Sequence, residues 1–308
     1  MMMWVLLICA ALIAAPLIIE ATRKPTNAAR RSAAPGSFVD LPQGMTHFKW
    51  TGPEQGRVVV CIHGLTTPSF VWRQIEQDLA QQGFRVLTYD HFGRGFSDRI
   101  GGAQNRAFFL RHLHDVLESQ KIDQDVTLIG YSMGGAIATA YAAQNPNSTR
   151  QVVLLAPAGA RPVIGSTLGR LIALPVIGTW IILACYPEML RKGLRAEADH
   201  PTSVPGINQL QNQELDYRGF LPAVARSLRG ILSESFQADH QALRHAAIPV
   251  MTIWGADDAV IPISSKDILS EWNPDMLHHV IEQTGHNVPY AQHETVMGHI
   301  TPFLQADD

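Results

Sequence analysis

The sequence contains little charge and few cysteines. Asp, Glu, Lys and Arg make up 17% of its 308 residues, and the formal net charge is −3. It has no Lys- or Arg-rich run and no stripe of basic and aromatic residues, so it gives no support for nucleic-acid binding. Three cysteines are too few for a disulfide framework. Without a C-x-x-C pair or an H-x-x-x-H helix pattern, the sequence predicts no metal site and no cofactor.

A long uncharged run lies near the N-terminus. Residues 3–19 carry no charge and are just long enough to span a bilayer as a helix. No basic residue precedes the run and no good A-x-A site closes it, so we predict a transmembrane anchor or signal over residues 1–20, with an uncleaved anchor favoured. Basic residues follow the run, which places the main domain on the cytoplasmic side. The alternative is a secreted or periplasmic domain after signal cleavage. Residues 21–36 are predicted to be a linker.

Strand-like and helix-like segments alternate after this linker. The runs 58–62, 85–90, 126–129 and 152–155 are short, apolar and rich in β-branched residues, and each is followed by a segment with helical spacing or by a turn. The alternation resumes with strands near 249–254 and 278–281. This pattern predicts an α/β fold with a doubly wound, mainly parallel sheet, formed by residues 37–157 and 247–308.

The segment between the two halves has a different pattern. Residues 158–246 contain helical pieces and no clear strand, which predicts a helical cap inserted between two strands of the sheet. Residues 171–186 within it are all apolar or small. A second membrane span is one interpretation, but Pro175 and Gly178 interrupt the run, so we favour an apolar lid that lines a pocket.

The pentapeptide Gly130-Tyr131-Ser132-Met133-Gly134 fits the pattern G-x-S-x-G. It lies between a predicted strand and a predicted helix, where a tight turn holds a serine hydroxyl at the carboxyl edge of the sheet. Glycines allow the sharp turn and the close packing of the helix. The amides at the helix N-terminus carry partial positive charge where an oxyanion would form. Ser132 is therefore a candidate nucleophile.

A serine hydroxyl needs a base, and the base needs a carboxylate that orients it. His286 follows the last predicted strand, and Asp257 and Asp258 follow the strand before it. All of these positions lie at the carboxyl edge of the predicted sheet. The order of serine, acid and histidine agrees with the order expected on such a sheet, and either aspartate can supply the acid.

The oxyanion site is predicted from two loops. Residues 61–65, CIHGL, end an earlier strand beside the serine turn. The backbone amides of Leu65 and Met133 are therefore candidates for binding a developing oxyanion. His63 lies in the same loop, and we interpret it as a structural residue that bonds to backbone rather than as a base.

Five motifs in register resemble the α/β-hydrolase superfamily over about residues 45–305: VVVCIHGL, YDHFGRGFSDR, LIGYSMGGAIA, IWGADDAVIP and QTGHNVPY. The resemblance implies Ser132 as nucleophile, His286 as base and Asp258 as acid, because the family's acid usually lies three residues after the glycine of this turn. The sequence looks most like the branch with a single HG and a helical cap. That branch includes monoacylglycerol-lipase-like esterases, C–C bond hydrolases and lactonases.

The resemblance and the motifs together predict a serine hydrolase that cleaves carboxylic esters through an acyl-enzyme. An apolar small-molecule ester is the expected substrate, and the apolar lid suggests a lipid-like acyl group. The membrane, contacted through the N-terminal helix, is the second expected partner, and no nucleic acid is expected. C–C bond hydrolysis and lactone hydrolysis use the same triad and remain alternatives. A ligand-binding receptor that never turns over its ligand is a further alternative from another class of protein.

Overall fold

The computed structural model describes residues 1–198 and 200–306. Eight strands in this part of the chain form one sheet. They are β1 (Ser37–Leu41), β2 (Gly44–Thr51), β3 (Val58–Ile62), β4 (Arg85–Tyr89), β5 (Val126–Tyr131), β6 (Thr149–Leu155), β7 (Val250–Gly255) and β8 (Leu277–Ile281). The strand order is β1-β2-β4-β3-β5-β6-β7-β8.

The helices fill the connections between these strands. They are α1 (Met2–Thr22), α2 (Ala28–Arg31), α3 (Arg73–Gln81), α4 (Arg106–Ser119), α5 (Met133–Gln144), α6 (Ser166–Ala173), α7 (Pro175–Ala196), α8 (Ile207–Glu214), α9 (Phe220–Arg229), α10 (Gln237–His245), α11 (Ser264–Trp272), α12 (Val288–Ala291) and α13 (His293–Gln305). The predicted α/β fold class is therefore confirmed.

Neighbouring strands pair in parallel along the row β4, β3, β5, β6, β7 and β8. The remaining two strands are antiparallel: β1 pairs with β2, and β2 pairs with β4. No pattern in the sequence predicts the β1–β2 hairpin. All six residues of β5 are buried, as expected for a parallel strand with helices on both faces. Leu128 packs into the core on one face and Ile129 into the core on the other, because neighbouring side chains of a strand point in opposite directions.

The segment between β6 and β7 contains helices joined by loops and no strand of the sheet in the residues that the structure describes. It contributes α6 to α10, as the sequence predicts for this region. Its last helix, α10, packs on α5 and α11 and so belongs to one of the two helical layers that cover the sheet. The helices α6 and α7 meet at Pro175 with a bend of 113°. Pro175 begins α7, a position where its missing N–H costs nothing. Residues 171–186 therefore do not form one straight helix.

The chain between α1 and β1 is bound to the rest of the protein along its length. We call residues 20–31 the strap. Lys24 exchanges two backbone hydrogen bonds with the loop before α9, at 3.0 Å to Asp216 O and at 2.9 Å from Arg218 N. The side chain of Asn27 caps α2 by accepting from the Arg30 amide at 3.1 Å. Arg30 forms an ion pair with Glu214 of α8 in which both side chains are buried.

Candidate active site

Ser132 lies at the turn between β5 and α5. Its backbone has a φ of +54°, in the left-handed region that a residue with a side chain rarely adopts. Neighbouring backbone holds this conformation: the Ser132 amide donates to Leu155 O at 2.9 Å, and Ser132 O accepts from Gly135 at 2.9 Å and Ala158 at 3.0 Å. Strain of this kind occurs at functional sites, where the surrounding structure fixes it.

Two glycines make this turn sterically possible. A Cβ atom on Gly130 would lie 2.4 Å from Gly134 O, and one on Gly134 would lie 2.0 Å from Ile62 O. Both distances are far inside van der Waals contact. The absence of side chains at these positions lets α5 begin directly against β3 and β5, as the motif predicts.

The structure brings Ser132, His286 and Asp258 into one hydrogen-bonded chain. His286 Nε2 lies 2.9 Å from Ser132 Oγ, and His286 Nδ1 lies 2.7 Å from Asp258 Oδ2. A neutral imidazole with its proton on Nδ1 donates to Asp258 and accepts from the serine hydroxyl. Ser132 precedes His286 by 154 positions and Asp258 precedes it by 28. The three residues meet because β5, β7 and β8 end at the same edge of the sheet.

The two neighbouring aspartates have different environments. Asp258 is buried, and its second oxygen, Oδ1, accepts from the amides of Val260 and Ile261 at 2.8 Å each. These bonds fix the carboxylate while leaving Oδ2 for His286. Asp257 is exposed, and its backbone amide donates to Thr284 O at 2.9 Å. The geometry thus pairs His286 with Asp258, the aspartate that the resemblance selects.

The two amides predicted for the oxyanion site belong to loops that flank Ser132. Met133 is the first residue of α5, so its N–H is one of the four that have no partner within the helix. Leu65 lies in the wall of the pocket that contains Ser132. The residue before it, Gly64, packs so closely that an added Cβ would lie 3.3 Å from Ser132 Cβ. This arrangement is compatible with the predicted oxyanion role of Leu65 and Met133.

His63 bonds to backbone groups and does not reach Ser132. Its Nδ1 donates to Gly64 O at 2.7 Å, and its Nε2 accepts from the His91 amide at 2.9 Å. Burial lowers the pKa of His63 to about 4, so the ring is neutral at neutral pH. His63 therefore shapes the loop that carries Leu65, as expected from the sequence.

The pocket at Ser132 has a mostly apolar wall and a volume of about 310 Å³. Its apolar residues come from the HG loop, from the chain after β6, from the second half of α7, from the turn after α9 and from the loop after Asp258: Leu65, Val163, Met189, Leu190, Leu194, Leu232 and Val260. Of residues 171–186, which we interpret as a lid, Tyr186 lies in this wall, and the other α7 residues of the wall follow that run. Residues 171–177 do not line it.

Three residues of the site have no clear signal in the sequence. Tyr131, the variable residue of the serine motif, donates to His286 O at 3.0 Å and packs its ring 5.3 Å from the imidazole. Glu197, at the end of α7, brings a carboxylate into the pocket, where the Tyr290 hydroxyl donates to it at 3.4 Å. Burial raises the pKa of Glu197. The position of Glu197 in the pocket depends on how the helical segment after β6 packs over the sheet, and the residues around Glu197 in the sequence do not determine this packing.

Residues 1–198 and 200–306 contain no group of three or more His, Cys, Asp or Glu side chains arranged to hold a metal ion.

Known proteins similar to this chain share its fold. Residues 57–176 match the profile of the family described as alpha/beta hydrolase fold. A 2-hydroxy-6-oxo-2,4-heptadienoate hydrolase of Pseudomonas putida is 27% identical over 82% of this chain and 91% of its own length. The esterase EaEST from Exiguobacterium antarcticum superposes with a TM-score of 0.75 at 20% identity, over 88% of this chain and 100% of that chain. A membrane phospholipase A does so with a TM-score of 0.71 at 19% identity, over 99% of this chain and 96% of that chain.

The eight-stranded sheet, the strained serine turn and these similarities agree with one another. The chain therefore has the α/β-hydrolase fold, and it is a hydrolytic enzyme.

Proposed function

We propose that this protein is a serine hydrolase that cleaves carboxylic esters, with Ser132 as nucleophile, His286 as base and Asp258 as the orienting acid. The observation that carries the proposal is the hydrogen-bonded chain from Ser132 Oγ through His286 to Asp258, with distances of 2.9 Å and 2.7 Å. The serine lies in an apolar pocket and both of its partners are held by further contacts. This arrangement activates a hydroxyl that is otherwise a weak nucleophile.

The proposed reaction has two halves. Ser132 Oγ attacks the ester carbonyl carbon while His286 Nε2 takes the hydroxyl proton, and the amides of Leu65 and Met133 bind the oxyanion. The C–O bond of the ester then breaks, and the imidazolium returns its proton to the leaving alcohol. A water molecule, deprotonated by His286, hydrolyses the acyl-enzyme through a second oxyanion and frees Ser132.

The pocket favours an apolar acyl group. Its aliphatic side chains exclude water from a hydrocarbon chain, and Glu197 is the acidic residue in its wall. The structural similarity to an esterase and to a membrane phospholipase A supports an ester with a lipid-like acyl chain.

C–C bond hydrolysis is the second candidate, and the Pseudomonas putida relative favours it. A dienoate substrate carries a carboxylate, which needs a cationic or hydrogen-bond-donating partner. The described lining of the Ser132 pocket contains the acidic Glu197 and no Lys or Arg, and its hydrogen-bond donors are neutral side chains such as Thr66, Gln211 and Asn287. The charge of the pocket therefore favours a neutral ester over an anionic dienoate.

The membrane is the second proposed partner. In the described part of the chain, α1 is a 21-residue helix of mean hydropathy 2.7, and its apolar side chains are exposed. The helix is long enough to cross a bilayer. A helix of this kind is an anchor or a signal sequence. We favour the anchor, with the hydrolase domain on the cytoplasmic side, because the basic residues of the strap follow the helix.

Hydrolysis of a p-nitrophenyl ester series from acetate to palmitate tests this function in the full chain, reconstituted in lipid nanodiscs. We expect kcat/KM to rise with acyl length up to a medium or long chain and Ser132→Ala to abolish turnover. The dienoate substrate is measured beside the series. Faster turnover of the dienoate than of every ester contradicts the ester proposal in favour of C–C hydrolysis. Tight ligand binding without turnover contradicts the enzyme proposal itself.

A further inference from the structure

The corner between α6 and α7 exposes large apolar side chains that the catalytic pocket does not use. We call residues 168–177 the apolar corner. Its exposed side chains are Leu168, Leu171, Leu174, Val176 and Ile177, with exposed fractions of 51%, 43%, 47%, 83% and 48%. Apart from α1, the other large apolar side chains in the described chain that are equally exposed are scattered: Met189, Val260, Leu277 and Val280. A contiguous patch of this kind on a soluble surface marks an interaction site.

The fold holds the corner in this outward position. Ile172 and Ile182 are buried on the inner side of the two helices, which pack against α9. A Cβ atom on Gly178 would lie 2.2 Å from Ile172 O, so the glycine lets the two helices approach closely at the bend. The corner has an inner face that already contributes to the core. The exposed face therefore has no packing role in the described structure, and its residues do not line the Ser132 pocket.

The apolar corner lies beside α1 in the structure. The helix α7 packs against α1, and Trp180 Nε1 donates to Ile13 O at 2.9 Å. The end of α1 is fixed as well, because Glu20 accepts from the Gly219 amide at 2.6 Å and pairs with Arg23 at 3.0 Å. The strap then continues through the buried ion pair of Arg30 and Glu214. These contacts set the position of α1 relative to the corner.

We propose that the apolar corner inserts into the same bilayer surface that α1 enters, as a second and non-spanning membrane contact. The proposal rests on the membrane attachment of α1 proposed above. Three observations select a bilayer as the occupant. The helix α7, which begins in the corner, packs against α1, a helix of spanning length whose residues 3–19 are uncharged. Residues 171–187 carry no charge, and the exposed Arg170 of the corner can contact lipid phosphates. Short apolar helices flanked by basic residues bind the membrane interface in this way.

This contact has a consequence for substrate entry. Met189 and Val260 line the Ser132 pocket and are themselves exposed at 61% and 48%. Met189 follows the corner on the same helix, α7. With the corner in the lipid, a membrane ester enters the pocket past Met189 without crossing bulk water.

Depth-dependent fluorescence quenching tests the insertion in the full chain. Cys9 and Cys185 are changed to serine, since they are exposed, and the buried Cys61 is kept. The fluorophore NBD is attached in separate variants at Leu7→Cys in α1, at Val176→Cys in the corner and at Gln124→Cys. Gln124 is exposed and precedes β5, at the edge of the sheet opposite the helical insertion.

In nanodiscs that contain lipids with a doxyl quencher just below the headgroups, we expect quenching of NBD at positions 7 and 176 and none at 124. Quenching at 7 but not at 176 overturns the proposal and leaves the anchor intact. Absence of quenching at both positions overturns the membrane attachment as well. If NBD at position 176 is not quenched, and unlabelled Val176→Cys forms disulfide cross-links between two chains, a second copy of the protein covers the corner instead.

A functional readout uses a charge on the most exposed residue of the corner. Val176→Glu is compared with Leu277→Glu, which places the same charge on an exposed apolar residue of the edge strand β8. We expect Val176→Glu to slow hydrolysis of a long-chain ester held in vesicles several-fold, with hydrolysis of soluble p-nitrophenyl butyrate unchanged, and Leu277→Glu to slow neither. Equal effects of the two variants on the vesicle substrate contradict the proposal. If the unmutated protein hydrolyses neither substrate, the proposed esterase function is wrong.

Discussion

Asp258 Oδ2 lies 2.7 Å from His286 Nδ1, while the neighbouring Asp257 is exposed to solvent. One position along the chain thus separates a carboxylate that orients the imidazole from one that does not. The loop after β7 causes the difference, because the amides of Val260 and Ile261 hold the Asp258 carboxylate toward the site.

Asparagine at each aspartate separates their roles. Asp258→Asn removes the acceptor that keeps the proton of His286 on Nδ1, so we expect kcat to fall by about 10³- to 10⁴-fold, the order seen when the acid of a serine triad is replaced. Asp257→Asn alters a solvated group and is expected to change kcat less than about twofold. Steady-state hydrolysis of a p-nitrophenyl ester measures both, with circular dichroism as the folding control. A larger loss in Asp257→Asn would show that the acid is assigned to the wrong residue.

The serine turn predicts a steep cost for any side chain at Gly134. In Gly134→Ala the new Cβ meets the carbonyl oxygen of Ile62, a backbone atom that cannot move without distorting β3. We expect a loss of about 3 kcal/mol or more in the free energy of unfolding, at the upper end of overpacking effects. Chemical denaturation monitored by tryptophan fluorescence gives the value.

Gly298 is the matched control for this substitution. It lies exposed within α13, and a Cβ there meets no atom within 4 Å. Gly298→Ala is expected to stabilise the protein by about 0.5–1 kcal/mol, because alanine loses less backbone entropy in a helix. Similar destabilisation by both alanines would mean that the contact at Gly134 is not the cause.

Buried neutral histidines predict a loss of stability in mild acid. Burial lowers the pKa of His63 to about 4 and those of His112 and His240 to about 3. In the unfolded chain these groups titrate near 6.5, so between about pH 6.5 and 4 the unfolded state binds more protons than the folded state. The free energy of unfolding therefore falls as pH falls through this window, by roughly 1.4 kcal/mol per pH unit for each such histidine once it is fully titrated in the unfolded state.

Urea denaturation at pH 7.5 and pH 5 measures this slope, and His240→Phe isolates one contribution. His240 packs its ring 6.0 Å from that of Trp272, and phenylalanine keeps this contact without a titratable group. We expect the difference in unfolding free energy between the two pH values to be smaller in His240→Phe than in the unmutated protein. The same difference in both proteins contradicts a neutral, buried His240.

The sequence predicts the strand–turn–helix unit around Ser132 because this unit depends on neighbouring residues alone. The strand 126–131, the glycines around Ser132 and the helix after it encode the serine turn within ten residues. Parallel strands then bring the loops after β7 and β8 to the same edge as Ser132, so the order of segments predicts that His286 and one of the two aspartates meet the serine. Asp258 could be separated from Asp257 only through the resemblance, because both follow β7 and the choice depends on how one loop folds.

Other features depend on contacts between distant segments and were not predictable. Composition predicts a linker over residues 21–36, yet in the structure Arg30 forms an ion pair with Glu214, and the backbone of Lys24 forms hydrogen bonds with the loop before α9. Residues 171–186 are compatible with a membrane span or with a lid, because composition alone does not show which of their side chains pack against the rest of the protein. The first half of this run is exposed at the corner, whereas its last residue, Tyr186, lies in the wall of the Ser132 pocket.

The most direct test of the proposed mechanism is labelling of Ser132 itself. The full chain in nanodiscs is incubated with a fluorophosphonate, which forms a stable bond only with a serine activated by a base. We predict that intact-mass analysis shows one adduct per chain, that peptide mapping places it on Ser132, and that Ser132→Ala takes up none. An adduct on another residue, or equal labelling of Ser132→Ala, would contradict the assignment of Ser132 as the nucleophile.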